Sequence, residues 1–152
     1  MIGRHLAYAR YVIRHKWFVL GACLKLKAGL WRGLVHDLSK LTPAEWGPYA
    51  RTFYSPRGEK QYNPDPFFDA AWLHHKNHNR HHHNHWVMVL KTDDEPIEMP
   101  EIFVREMVAD WVGTGQAKGF PDTLAWYASN KDNMILHPNT RALVEKLLEG
   151  LK

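Results

Sequence analysis

With 152 residues, 45% of them hydrophobic and 24% charged, the chain has the composition of one soluble globular domain able to bury a core of its own. A net charge of +4 and a pI of about 9.2 suit a small anionic ligand. No block of Lys and Arg stands out as a nucleic-acid surface would, so nucleic acid is not expected as a partner.

The single cysteine, Cys23, excludes an internal disulfide and fits a reducing compartment. WFVLGACLKL (17–26) is apolar, but Arg14, Lys16, Lys25 and Lys27 bracket or interrupt it, which leaves it too short for a membrane span or a signal peptide. A cytoplasmic protein without membrane association is expected.

In chain order, the hydrophobic spacing predicts helices nearly throughout. Leu6, Tyr8, Tyr11, Val12, Ile13 and Phe18 mark a first helix over 4–20, and Leu24 to Leu38 a second over 22–39. Thr42-Pro43 followed by Glu45 reads as the start of a third, running to about Tyr54. SPRGEKQYNPDP (55–66) is a loop, and a fourth helix starts near Asp65-Pro66 and carries Trp72 and the histidines beyond. After the acidic loop KTDDEPIEMP (91–100), a helix from Pro100 to Val112 is expected to end at Gly113 or Gly115. Pro121 and Pro138 open the last two. The fold class expected is all-α, one domain over 1–152 with about seven helices.

The unusual composition lies in the 11 histidines, most of them in HHKNHNRHHHNH (74–85), and in the 7 tryptophans, which leave room for an aromatic homo-oligomer interface. GLVHDLSK (33–40) sets His36 and Asp37 among Leu34, Val35 and Leu38; EMVADW (106–111) sets Asp110 in similar company. A buried carboxylate protonates or finds a cation. A divalent metal would satisfy Asp37 and Asp110 together, with imidazoles from His15 and the histidine-rich stretch.

Blander readings exist for each piece. His15 could lie on the surface, Asp37 could pair with Lys40, Asp110 could pair with Arg105 or Arg141, and the histidine run could be a solvated helix end that binds metal adventitiously. On a continuous helix His74, His78, His81, His82 and His85 would share one face, although Asn79-Arg80 could break it. All the bland readings would have to hold at once, which favours the metal.

GLVHDLSK resembles the His-Asp signature of the HD-domain superfamily of all-α metal-dependent phosphohydrolases, and an upstream His, the doublet, later histidines and a late Asp follow in that order. RHKWFV (14–19), GLVHDLSK, EWGPYA (45–50), AWLHH…NRHH…W (71–86), EMVADW and LHPNTR (136–141) also resemble the DUF5662 family of small bacterial and phage proteins, for which no activity is implied.

The superfamily resemblance implies that His15, His36, Asp37 and Asp110 hold one ion, and that Asp37 bridges to a second ion held by His75 with His81 or His82. It implies that Lys40, where some mononuclear nucleotidases of the superfamily carry a glutamate, matches the lysine of two-metal members and contacts a substrate oxyanion or a metal-bound oxygen. Arg80 and Lys76 would add phosphate-neutralising charge, and Trp72, Trp86 or Trp111 could stack on a base.

The activity expected is hydrolysis of a nucleotide or other small phosphoester by metal-activated water, using one or two divalent ions (Mn, Co, Fe, Zn or Mg). A diiron oxygenase and a non-catalytic metal-binding helical protein are the alternatives.

Overall fold

A computed structural model describes residues 2–151, and among these the chain is all-α. The helices are α1 (Ile2–Lys25), α2 (Leu30–Val35), α3 (Pro43–Phe53), α4 (Phe68–His78), α5 (Glu101–Lys118), α6 (Thr123–Asn130) and α7 (Pro138–Glu149). The only strands among the described residues are a two-residue antiparallel ladder, β1 (Val87–Met88) just before the acidic segment read as loop and β2 (Glu95–Pro96) inside it. No helix among the described residues is long and apolar enough to cross a membrane.

Outside the histidine-rich stretch, the boundaries differ from the expected ones most in three places, each with a local cause. The first helix does not stop near residue 20 but continues to Lys25, and the chain then turns through positive φ at Lys27 and Gly29. The second helix shrinks to six residues because α1 and the following turn take its first residues and because the chain leaves helical geometry at His36 (ψ 127°) and at Asp37, which is left-handed (φ 55°, ψ 26°). His36 and Asp37 therefore sit in a break before a 3-10 turn at Leu38–Leu41, not on a helix.

The third difference is in α5, which runs through Gly113 and Gly115 to end at Gly119 (φ 83°). A glycine costs a helix about 1 kcal/mol, and Gly113 has a packing reason to be there. A β-carbon on it would lie 2.4 Å from Val19 Cγ2 and 2.7 Å from the Val19 backbone nitrogen. Gly113→Ala should therefore destabilise the fold by about 1–3 kcal/mol by forcing α1 and α5 apart. Gly21→Ala, within α1 where a β-carbon meets nothing within 4 Å, should stabilise by about 0.5–1 kcal/mol. Urea unfolding of the two variants tests the contact; stabilisation by both would refute it.

Two apolar clusters flank the centre of the molecule. One joins α1, α5, α6 and α7 through Val19, Cys23, Val104, Met107, Val108, Tyr127, Val144 and Leu148. The other joins α1, α3 and α4 through Tyr8, Val12, Tyr49, Ala50, Tyr54 and Ala71. Burial of each large side chain contributes about 1.5–3 kcal/mol. On α1 the first cluster begins at Val19 and the second ends at Val12, with His15 between them, so the polar centre of the protein lies at their junction.

Candidate metal centre

His15 projects from α1, Asp110 from α5, and His36-Asp37 from the break after α2; all but Asp110 are 1% exposed. Four donor atoms converge. His15 Nε2 lies 3.4 Å from Asp37 Oδ2 and 3.3 Å from Asp110 Oδ1. His36 Nε2 lies 3.3 and 3.4 Å from the same two oxygens and 3.3 Å from His15 Nε2. Five of the six edges of the tetrahedron are nearly equal, and edges of this length are those of a regular tetrahedral site with bonds of about 2.0–2.1 Å, as zinc makes to nitrogen and oxygen. Imidazole and carboxylate donors at this spacing fit a divalent ion.

A second group shares Asp37. Its other oxygen, Oδ1, lies 3.4 Å from His75 Nε2 and 3.5 Å from His81 Nε2, and His82 completes the set. Asp37 Oδ1, His81 Nε2 and His82 Nε2 are buried without a hydrogen-bond partner. Orphaned polar atoms at this depth each cost about 1–3 kcal/mol, and a cation among them would satisfy all three. Asp110 Oδ2 also approaches His81 Nε2, at 3.9 Å.

The histidine-rich stretch reaches this group because its helix stops. α4 ends at His78, and the Asn79 side chain turns back to donate to the His75 carbonyl (2.8 Å) and to Ser39 Oγ (2.6 Å). The chain reverses there, so His81 and His82 face His75. His78 is exposed, His83 and His85 lie in a 3-10 turn, and the single helical face considered from the sequence does not form.

Two buried glutamates, neither of which the sequence reading selected, orient the imidazoles. Glu45 on α3 accepts from His75 Nδ1 (2.8 Å) and His74 Nδ1 (2.7 Å). Glu106 on α5 accepts from His36 Nδ1 (3.1 Å), lies 3.4 Å from His81 Nδ1, and pairs with Arg32 at 2.5 Å. Thr114 Oγ1 faces His15 Nδ1 at 3.4 Å. A carboxylate on Nδ1 fixes the tautomer and leaves the Nε2 lone pair pointing inward, the arrangement of histidines that hold metals. A third grouping, His36, His81 and Glu106, is also close enough to hold an ion, but its hydrogen bonds and Arg32 already account for Glu106.

Charge follows this layout. Burial works against the His36 cation, yet Asp37, Asp110 and Glu106 outweigh it and hold the His36 pKa well above the usual value. For Asp37 burial is outweighed by His36 and Lys40, and for Asp110 by His36, so both carboxyls sit well below the ordinary range. Burial lowers His15 and His82, which favours the neutral, ligating form of each.

Of the residues considered for substrate, Lys40 pairs with Asp37 Oδ2 at 2.5 Å while that oxygen faces the two imidazoles, so the ion pair and the cluster coexist. Arg80 is exposed and lines a cleft of about 320 Å³ with Arg32, His81 and Glu106. Lys76 is half-buried, and its carbonyl faces His85 Nδ1. The Trp72 ring lies against His75 and His82 (5.8 and 5.2 Å between centroids), whereas Trp111 packs on Trp126 and Tyr127, and Trp86 on Phe103. Arg105 bonds Glu101 and the Leu26 carbonyl, and Arg141 bonds the Lys131 and Met134 carbonyls, so neither is the partner of Asp110.

A family model described as a family of unknown function, DUF5662, matches residues 4–150. The chain belongs to the DUF5662 family. No curated protein and no solved structure matches it. As a DUF5662 member it carries no assigned chemistry from its relatives, and its function has to be argued from the cluster itself.

Proposed function

We propose that this DUF5662 protein is a metal-dependent phosphohydrolase acting on a nucleotide or another small phosphoester in the cytoplasm. The observation that carries the reading is Asp37, whose two oxygens join two donor groups, five imidazoles and two carboxylates in all. The resemblance of GLVHDLSK to the HD-domain signature supports it.

A divalent ion held by these residues supplies Lewis acidity and lowers the pKa of water from about 15.7 towards 7. The chain's own groups do the rest. Glu45 and Glu106 hold the imidazoles in one tautomer. Lys40, buried beside Asp37 with its pKa raised by Asp37 despite burial, stays charged and neutralises a phosphoryl oxygen. Arg80 offers positive charge at the cleft beside His81, and Lys76 could add to it from α4.

The test is elemental analysis of tag-free protein, followed by hydrolysis assays with nucleoside monophosphates and p-nitrophenyl phosphate. Near-stoichiometric metal with hydrolysis abolished by chelator is expected. The nitrogen-rich donor set also suits iron, so two irons with oxygen consumption and no hydrolysis would move the assignment to an oxygenase. Metal without turnover of any kind would leave a metal-binding protein.

Metal uptake should also release protons, because the charged His36 must become neutral to ligate. Calorimetric titration with metal in buffers of different ionisation enthalpy is expected to show release at pH 7, and affinity that falls as pH drops. Buffer-independent heats would contradict this.

A further inference from the structure

α1 turns its inner face to both apolar clusters, so its outer face should be polar. It is not. Leu6, Ile13, Trp17 and Leu24 are exposed there, and at about 100° per residue they fall within about 20° of one line along the helix. The exposed residues of α2 are Leu30, Trp31 and Leu34, all of them apolar. α2 lies close against α1 because Gly33 has no side chain; a β-carbon there would lie 2.6 Å from Leu20 Cδ1. Between the two helices is a hollow of about 560 Å³ lined by Ile13, Trp17, Leu20 and Leu34, with Arg10, Arg14 and Lys16 also on it.

The face is large for a single chain. Trp17 and Trp31 are 72% and 71% exposed, which leaves about 100–180 Å² of each open to water. Together they approach the largest apolar patch of an ordinary monomer, about 300–600 Å². Leu6, Ile13, Leu24, Leu30 and Leu34 extend it towards the roughly 800 Å² that each partner buries in a standard interface.

Charge and symmetry indicate what covers it. Neither α1 nor α2 carries an acidic residue, yet two of the three basic side chains at the hollow are engaged elsewhere. Arg14 lies over the Phe18 ring, 5.6 Å from its centroid, and Lys16 donates to the Leu34 and His36 carbonyls. The centre of the face, Ile13 and Trp17, is therefore apolar and suits another apolar protein surface better than anionic lipid headgroups. Leu6 and Leu24 stand equally far from residue 15 along α1, and so do Ile13 and Trp17. Such a stripe matches its own copy laid antiparallel, Leu6 on Leu24 and Ile13 on Trp17, the reciprocal pairing of a two-fold interface.

We propose that two copies of the chain form a two-fold dimer through α1 and α2, with α1 antiparallel to its copy and Trp17 of each chain in the hollow of the other. The dimer does not depend on the phosphohydrolase reading.

The test is sedimentation velocity of the tag-free chain at micromolar concentration, for wild type, Trp17→Glu, Leu24→Glu and Phe67→Glu. Wild type is expected at twice the 17.8 kDa of one chain. Trp17→Glu is expected at the mass of one chain with an unchanged far-UV circular dichroism spectrum, and Leu24→Glu, at the end of the stripe, carries the same expectation. Phe67, exposed just before α4, is no part of the face, so Phe67→Glu should remain dimeric. Cross-linking reads the register. Positions 6 and 24 lie about 27 Å apart along α1, so Leu6→Cys and Leu24→Cys should form an intermolecular disulfide when mixed and none when alone.

A wild type that stays monomeric would overturn the dimer, and if that monomer bound phosphatidylglycerol vesicles the face would belong to an anionic membrane. Folded Trp17→Glu and Leu24→Glu that stay dimeric, or Phe67→Glu that becomes monomeric, would overturn the assignment to this face. A disulfide in Leu6→Cys alone would overturn the antiparallel register.

Discussion

Exchange of Asp37 for asparagine is expected to strip metal from both donor groups at once, whereas His82→Ala empties only the group built on Asp37 Oδ1. The asparagine variant isolates the carboxylate. Position 37 has φ 55°, a conformation that Asn and Asp adopt far more readily than Ala, so backbone strain does not confound the result. Loss of an outer hydrogen-bond partner typically costs metal affinity about 10–100-fold, and loss of a shared ligand should exceed that. Elemental analysis reads the stoichiometry, and the rise in melting temperature on adding metal should vanish in the variant. Asp110→Asn should add little to Asp37→Asn, because two residues holding one ion are not independent. Wild-type metal content in Asp37→Asn would end the bridging assignment.

The largest effect on stability is expected from Glu106→Ala, at about 3–5 kcal/mol, because it strands Arg32, His36 and His81 around a site that is 1% exposed. Removal of Glu101, 60% exposed and paired to Arg105 on the same helix, should cost under about 1 kcal/mol. Urea unfolding compares them. The pH dependence gives a second reading in the metal-free protein. Burial opposes ionisation of Glu106, but the hydrogen bonds from His36 and His81 bring its pKa down from 4.5 to about 2. A depressed carboxyl stabilises the fold above its unfolded pKa. The wild-type advantage over Glu106→Ala should be complete above about pH 4.5 and fade as pH falls through 2. A constant difference from pH 7 to pH 2 would refute the pairing.

The ligand candidates were legible in the sequence where a polar residue interrupts an apolar run. His36, Asp37 and Asp110 each do so, and the structure brings them together with His15. Glu106 and Glu45 carried no such mark, since a glutamate on a helix is ordinarily a solvated residue. The one usable signal for Glu106 was its spacing of four from Asp110, which sets both carboxylates on one face of α5. Where the chain turns was harder to read. Asn79 ends α4 by a side-chain bond to the His75 carbonyl, and α2 ends where His36 leaves helical geometry before the left-handed Asp37; neither event has a periodicity. Gly113 misled in the other direction, because a glycine that permits close helix contact has the same letter as one that ends a helix.

That contact at Gly113 would bear on which ion the proposed centre selects. Val19 is one turn from His15 along α1, and Gly113 is three residues from Asp110 along α5. The crossing is thus a calliper whose jaws are the two helices that carry His15 and Asp110, and those donors, His15 Nε2 and Asp110 Oδ1, lie 3.3 Å apart across it. A single methyl group at position 113 would open the jaws and favour a wider cation, such as manganese over zinc, without altering any donor.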